Sequence, residues 1–130
     1  MKIELGLREN RLAYRPKDFV EGAVLWELDA PPKRAGIKLL WFTRGKGTED
    51  GATVAEEKFG GPRPGDTRTF KLQLPEAPYS FSGRLISLIW AVEFVLTPGN
   101  HFERIEIVVG PDEKEIILPE GAKKDQWAKS

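Results

Sequence analysis

The chain has 130 residues, of which 40% are apolar and 31% are charged, with 13 Gly and 10 Pro. This is the size of one domain and the composition of a folded, turn-rich protein, which excludes a disordered chain and leaves no room for a second hydrophobic core. Twenty basic residues balance twenty acidic ones, so no overall field draws the protein to nucleic acid or to an anionic membrane surface, and we expect neither partner.

Apolar residues recur at every second position between closely spaced Gly and Pro residues, which is the period of β-strands. The first half of the chain predicts strands at 3–7, 20–28, 37–41 and, as a polar edge strand, 53–59. The second half predicts strands at 67–74, 83–97, 102–109 and, as a short last strand, 115–118. Seven or eight strands in one domain predict an all-β fold, an immunoglobulin-like antiparallel β-sandwich over residues 1–119.

The last segment, 120–130, is polar and carries no strand pattern, so we expect a flexible tail. Its one large apolar residue is Trp127, which is either part of a loose terminus or a docking anchor for a partner.

Four short motifs occur in a fixed order along the chain: Tyr14-Arg15-Pro16-Lys17-Asp18, VEGAV at 20–24, RAGIKL at 34–39, and FKLQLP at 70–75 leading to YSFSG at 79–83. Over residues 14–96 this arrangement resembles the arrestin-like family, in particular a single arrestin-type lobe of the kind found in sporulation-control and arrestin amino-terminal domains. The resemblance implies an arrestin-type sandwich that acts as an adaptor or scaffold. Lys17 stands where the family usually has Gly. Since the chain has room for one lobe only, the phosphate sensing of two-lobed arrestins is not carried over.

Residues for catalysis or metal binding are scarce. His101 is the only His and is expected to be a solvated residue of the turn TPGNHF, and nothing in the sequence places a nucleophile within its reach for a Ser-His-Asp triad. With one His and no Cys, a two-His metal site and cysteine catalysis are excluded. Glu56 and Glu57 are adjacent in a strand and so point to opposite faces. The turn RGKGTEDG lacks the order of a phosphate-binding loop. We therefore expect no catalytic residue, no cofactor and no metal, and a protein that is not an enzyme.

A contact surface is predicted on the outer side of the third and sixth strands. If Ile37, Leu39 and Trp41 face the core, Leu40 and Phe42 face outward. A sandwich of this type brings the third strand beside the long strand. The predicted surface, for another protein or for a second copy in a homodimer, consists of Leu40, Phe42, Ile89, Lys38 and Arg44. The alternatives are a β-bulge near Leu39 and Leu40 that buries Phe42, or coverage by the tail or a loop.

Two further interpretations of the sequence concern ligand binding. Lys33, Arg34 and Lys38 lie close together in sequence and form either a basic patch for carboxylate or phosphate groups or ordinary charged surface. The alternative function for the whole protein is a small-ligand or carbohydrate-binding sandwich that uses an exposed Trp as a stacking platform. Against it, the strand pattern turns the other three Trp residues inward and leaves only Trp127 free.

The sequence also predicts a location. A Cys-free chain fits a reducing compartment. The first ten residues, MKIELGLREN, lack the apolar core of a signal peptide, and the most apolar segment, 85–96, is too short to cross a bilayer. We expect a cytoplasmic protein.

Overall fold

A computed structural model describes residues 1–45, 50–83, 85–97 and 101–117. Within these ranges the chain forms ten strands and one 3-10 turn at Arg8–Asn10, so the predicted all-β class is correct. The strands are β1 (Lys2–Leu7), β2 (Ala13–Tyr14), β3 (Phe19–Glu27), β4 (Arg34–Gly45), β5 (Gly51–Lys58), β6 (Gly65–Gln73), β7 (Phe81–Ser82), β8 (Ile86–Thr97), β9 (His101–Val109) and β10 (Ile116–Ile117).

The count of ten exceeds the expected seven or eight because β2 and β7 have two residues each, too few for a visible alternation. His101, expected in a solvated turn, instead begins β9 opposite Leu96. The expected tail at 120–130, with Trp127, lies outside the described residues, so the boundary after residue 119 stays a prediction.

The strands form two sheets. The smaller one has the order β1-β3-β6 and is antiparallel throughout. The larger one has the order β10-β7-β8-β4-β5, with β9 also beside β8 and β2 beside β9. Its long strands pair antiparallel as expected, whereas β2 with β9 and β7 with β10 are short parallel pairs. The sandwich is therefore antiparallel in its main strands and mixed at one end.

The core lies between the sheets, and its largest side chains come from the alternating positions of β3, β4 and β8. Trp26 and Trp90 are fully buried, as the strand pattern predicts. Each indole N–H still has a partner: Trp26 Nε1 donates to the carbonyl of Arg63 at 2.7 Å, and Trp90 Nε1 donates to that of Pro78 at 2.9 Å. Trp41 is half-buried and packs against the core. Burial of these rings accounts for a large part of the hydrophobic stabilisation.

A tight turn over residues 15–18 leads into β3. Asp18 Oδ2 accepts a hydrogen bond from the backbone N–H of Arg15 at 2.9 Å and another from Arg11 Nη2 at 2.7 Å. Both contacts favour the ionised carboxylate and hold the pKa of Asp18 below its usual range. Lys17 has φ of 71°, the left-handed conformation that favours glycine. The family's usual Gly at this position therefore has a backbone reason.

The connection between β5 and β6 is fixed by a buried carboxylate. The side chain of Asp66 is 2% exposed and accepts hydrogen bonds from Arg68 Nη2 at 3.0 Å and Arg63 Nη2 at 3.2 Å. These two guanidinium groups hold the pKa of Asp66 far below its usual range. Arg68 Nη2 also donates to the carbonyl of Gly60 at 2.8 Å, so one ion cluster ties the connection to the start of β6.

Candidate interaction surface

The outward side of the large sheet, called the outer face below, is set by the pairing of β4 with β8. Their register runs without interruption from Arg34 opposite Thr97 to Gly45 opposite Ile86. Since paired residues share a face, the outward set follows directly. On β4 it contains Lys38, Leu40, Phe42 and Arg44, and on β8 it contains Ile89, Ala91 and Glu93. All five residues of the predicted contact surface thus lie on one face, while their role in binding remains a prediction.

A β-bulge is present near Leu39 and Leu40, but it lies in the neighbouring strand. Leu39 is opposite Ala55 and Leu40 is opposite Thr53, so the extra residue is Val54 of β5. The alternation of β4 is undisturbed, and Phe42 is not turned into the core. The alternative that a bulge reverses β4 is therefore wrong, because the edge strand absorbs the irregularity.

Four outward side chains form a continuous apolar strip. Phe42 is opposite Ile89 and Leu40 is opposite Ala91. Leu40, Phe42 and Ile89 are half-buried, whereas Ala91, which lies between Leu40 and Glu106 in register, is fully covered. Leu85 precedes β8 and is 62% exposed. The apolar strip therefore consists of Leu40, Phe42, Ile89 and Ala91.

Two arginines cover the aromatic ring of the strip. The guanidinium carbon of Arg44 lies 5.4 Å from the centroid of the Phe42 ring, and that of Arg104 lies 5.0 Å from it. Each arginine is paired with a glutamate: Arg44 Nη2 lies 3.0 Å from Glu106 Oε2, and Arg104 Nε donates to Glu93 Oε2 at 2.9 Å. The ring is thus held in a cation–π arrangement whose cations are themselves fixed.

The charges around the strip are balanced. Lys38 lies in register between Glu56 of β5 and Glu93 of β8. Together with the two arginine pairs this gives three cations, Lys38, Arg44 and Arg104, and three anions, Glu56, Glu93 and Glu106. The sequence prediction missed Arg104 and Glu106, because they lie on β9 and no local pattern shows that β9 pairs with β8. The alternation within 102–109 does place both on one side of that strand.

Glu56 and Glu57 pair with Lys38 and Ile37 respectively and so point to opposite faces, as predicted. The described residues contain no group of three or more His, Cys, Asp or Glu side chains placed to hold a metal ion. Residues 46–49 of the turn RGKGTEDG, including Lys46, lie outside the described residues. No helix in the described ranges is long and apolar enough to cross a bilayer.

The architecture is that of an arrestin-like β-sandwich with a single lobe, as the sequence motifs predict. It is similar to the crystal structure of Spo0M, a sporulation control protein from Bacillus subtilis, with a TM-score of 0.61 and 21% sequence identity. The match covers 84% of this chain and 49% of that one, so this chain spans about half the length of its neighbour. At this identity the likeness shows the fold alone. No family model and no curated protein matches the sequence.

Proposed function

We propose that this protein is a non-catalytic interaction module of the adaptor or scaffold type, that the outer face is its contact surface, and that a second copy of the chain is a partner. The observation that carries the proposal is the position of Phe42. Its ring lies beside Ile89 on an outward sheet face, beneath two arginines that are each fixed by a glutamate. Aromatic residues and arginine are enriched where interfaces gain most of their binding energy.

The apolar strip supplies a driving force of useful size. Complete burial of a Leu or Phe side chain contributes about 1.5–3 kcal/mol each before the cost of association is subtracted. Leu40, Phe42 and Ile89 are half-buried in the single chain, so each has apolar area left to lose. In a symmetric dimer every contribution counts twice, because both copies present the same residues.

The balance of charges favours a second copy over a strongly charged partner. A two-fold interface brings identical surfaces together, so a patch of one sign would repel itself. Around the strip the three cations and three anions alternate, and a rotation can place the arginines of one copy against the glutamates of the other.

The composition supports both an adaptor role and a cytoplasmic location, the latter because a Cys-free chain fits a reducing compartment. A chain with no Cys has no cysteine nucleophile, and a single His leaves one imidazole as a candidate base. The carbohydrate-binding alternative has less support: Trp26 and Trp90 are fully buried, Trp41 packs on the core, and Trp127 lies outside the described residues.

Light scattering coupled to size exclusion tests the proposal. We expect the wild type to have twice the 14.6 kDa mass of one chain, and the variant Leu40→Ser with Phe42→Ser to be a folded monomer. The matched control is Leu25→Ser with Phe19→Ser, which changes the same residue types on the outward side of the small sheet and is expected to stay dimeric. A monomeric wild type would overturn self-association, and a monomeric control would show that the loss is not specific to the outer face.

A further inference from the structure

A second feature of the outer face lies at the other end of β4, away from the apolar strip. Gly36 is among the residues that line a hollow of about 450 Å³ between the first residues of β4 and the last residues of β5. Five charged side chains line it, and four of them are cations: Lys33, Arg34, Lys38 and Lys58, with Glu56 as the single anion. On a chain with no net charge, this is a marked concentration of positive charge.

Within the described part of the chain most of this charge has no close ion pair, although Lys38 lies in register between Glu56 and Glu93. The one ion pair that the structure gives any of these cations there is a long one, between Lys58 Nζ and Glu56 Oε1 at 4.0 Å. Arg34 and Lys58 are exposed at the rim, whereas Lys38 is half-buried. A pocket with walls of lower dielectric and an excess of one charge attracts the opposite charge more strongly than a flat surface does.

The spacing of the cations indicates what kind of anion fits. Arg34, Gly36 and Lys38 are alternate residues of one strand and so share the outward face. The rise of a strand puts the Cα atoms of Arg34 and Lys38 roughly 13 Å apart, with Gly36 midway. Lys58 is opposite Gly36 on the adjacent strand. Positive charge is therefore offered four residues apart on β4, by Arg34 and Lys38, and beside the midpoint by Lys58 of β5. Same-face side chains of an extended peptide recur every second residue and so can meet all three cations.

The hollow is less suited to a compact tetrahedral anion. Such ions are usually held by several converging backbone N–H groups. The N–H groups at the ends of this hollow are used within the fold: that of Lys33 donates to the carbonyl of Thr97 and that of Phe59 to the carbonyl of Ala35, both at 2.8 Å. The remaining donors are side chains, and Lys and Arg pair readily with carboxylates.

From this geometry we infer that the hollow around Gly36 binds an extended acidic segment of a partner protein, with Asp or Glu at alternate positions along β4. The lack of a side chain at Gly36 lets the segment approach the sheet. This site goes beyond the proposed self-association and stands or falls separately, because the apolar strip lies four to six residues further along β4.

The test is an NMR titration of the full chain with a synthetic peptide that has Glu at every second position and Ser between. The amide resonances of the protein are followed as the peptide is added. We expect saturable shifts centred on Gly36 that weaken as salt is added. The variant Arg34→Glu with Lys58→Glu should weaken binding at least tenfold, and the neutral variant Arg34→Gln with Lys58→Gln should weaken it by less. Leu40→Ser with Phe42→Ser should leave it unchanged.

The matched control is Arg8→Glu with Lys71→Glu, which changes the net charge equally in the 3-10 turn after β1 and on β6, away from the hollow. Equal loss in this control would show that only overall charge matters and would overturn the inference. No shift at Gly36 would also overturn it. Inorganic phosphate that shifts the same residues at least as strongly would assign the hollow to a compact anion, and single-stranded DNA of equal charge that binds more tightly would assign it to nucleic acid. Both results would contradict an acidic peptide site.

Discussion

The guanidinium group of Arg104 reaches across the sheet to the ring of Phe42, with 5.0 Å between the guanidinium carbon and the ring centroid. The two residues belong to β9 and β4, which are separated by β8, so the contact joins three strands. Glu93 of the middle strand fixes the arginine by accepting its Nε–H at 2.9 Å. The relationship places a guanidinium group that is paired with a glutamate over an outward aromatic ring.

This contact predicts a measurable coupling between Phe42 and Arg104. Cation–π pairs at partly exposed positions contribute about 0.5–1 kcal/mol. A double-mutant cycle with Phe42→Leu and Arg104→Gln, followed by urea unfolding, should give a coupling free energy of that size. The cycle cancels the loss of the Arg104–Glu93 pair, which both arginine variants share. Strictly additive changes would show that the ring and the guanidinium do not stabilise each other.

The close packing around Gly22 predicts that a Cβ at this position lowers the free energy of unfolding. It lies on the inward side of β3, where a Cβ would be 2.3 Å from the carbonyl oxygen of Gly6 and 2.8 Å from the ring of Phe70. We expect Gly22→Ala to lower the free energy of unfolding by about 1–3 kcal/mol, the usual range for overpacking. Gly6→Ala is the control, because its Cβ would meet nothing within 4 Å. Similar midpoints for the two variants in urea unfolding would contradict the assigned packing.

The left-handed conformation of Lys17 predicts that glycine at this position gives a more stable protein than alanine does. Its φ of 71° costs an L-residue about 1 kcal/mol relative to glycine. Lys17→Gly and Lys17→Ala both remove the exposed ion pair with Glu76, in which Nζ lies 2.8 Å from Oε1. The glycine variant should therefore be the more stable of the two in thermal unfolding. The opposite order would mean that the turn does not adopt the left-handed conformation.

Asp66 predicts a loss of stability in acid. Its pKa in the folded chain lies far below the value of about 3.9 for an unfolded Asp, because Arg68 and Arg63 donate to the ionised form. The stability from this shift is fully present above the unfolded pKa and is lost as the pH falls below about 4.

Asp66→Asn should accordingly be less stable than the wild type at neutral pH, and the difference should shrink as the pH falls. The urea midpoint measured from neutral pH to about pH 3 checks this. Asp29→Asn, at an exposed turn residue, serves as the control. A difference between Asp66→Asn and the wild type that stays constant across this range would contradict the assigned ion cluster.

Much of the fold follows from the alternation of apolar residues. The long strands and their inward residues are predictable because each needs only local pattern, and Trp26 and Trp90 lie where the period of two places them. The two-residue strands β2 and β7 are not predictable, since their pairing depends on tertiary position. The same is true of Val54, whose bulge is visible only once β5 is paired with β4.

Some residues of the two candidate sites could likewise be assigned from the sequence, and others could not. The outward direction of Leu40 and Phe42 follows from the sequence, and so does the clustering of Lys33, Arg34 and Lys38. Arg104 and Lys58 could not be assigned to these sites, because each arrives on a neighbouring strand through long-range pairing. Residues that complete a site from another strand carry no local signal of their partner.

The most direct test of the central claim is an NMR dilution series of the uniformly labelled full chain from millimolar to micromolar concentration. If two copies meet through the outer face, the amide shifts that change with concentration will cluster at Leu40, Phe42, Ile89 and Ala91 and will be absent in Leu40→Ser with Phe42→Ser. Shifts that do not change with concentration, or that change on the outward side of the small sheet around Phe19 and Leu25, would contradict the account.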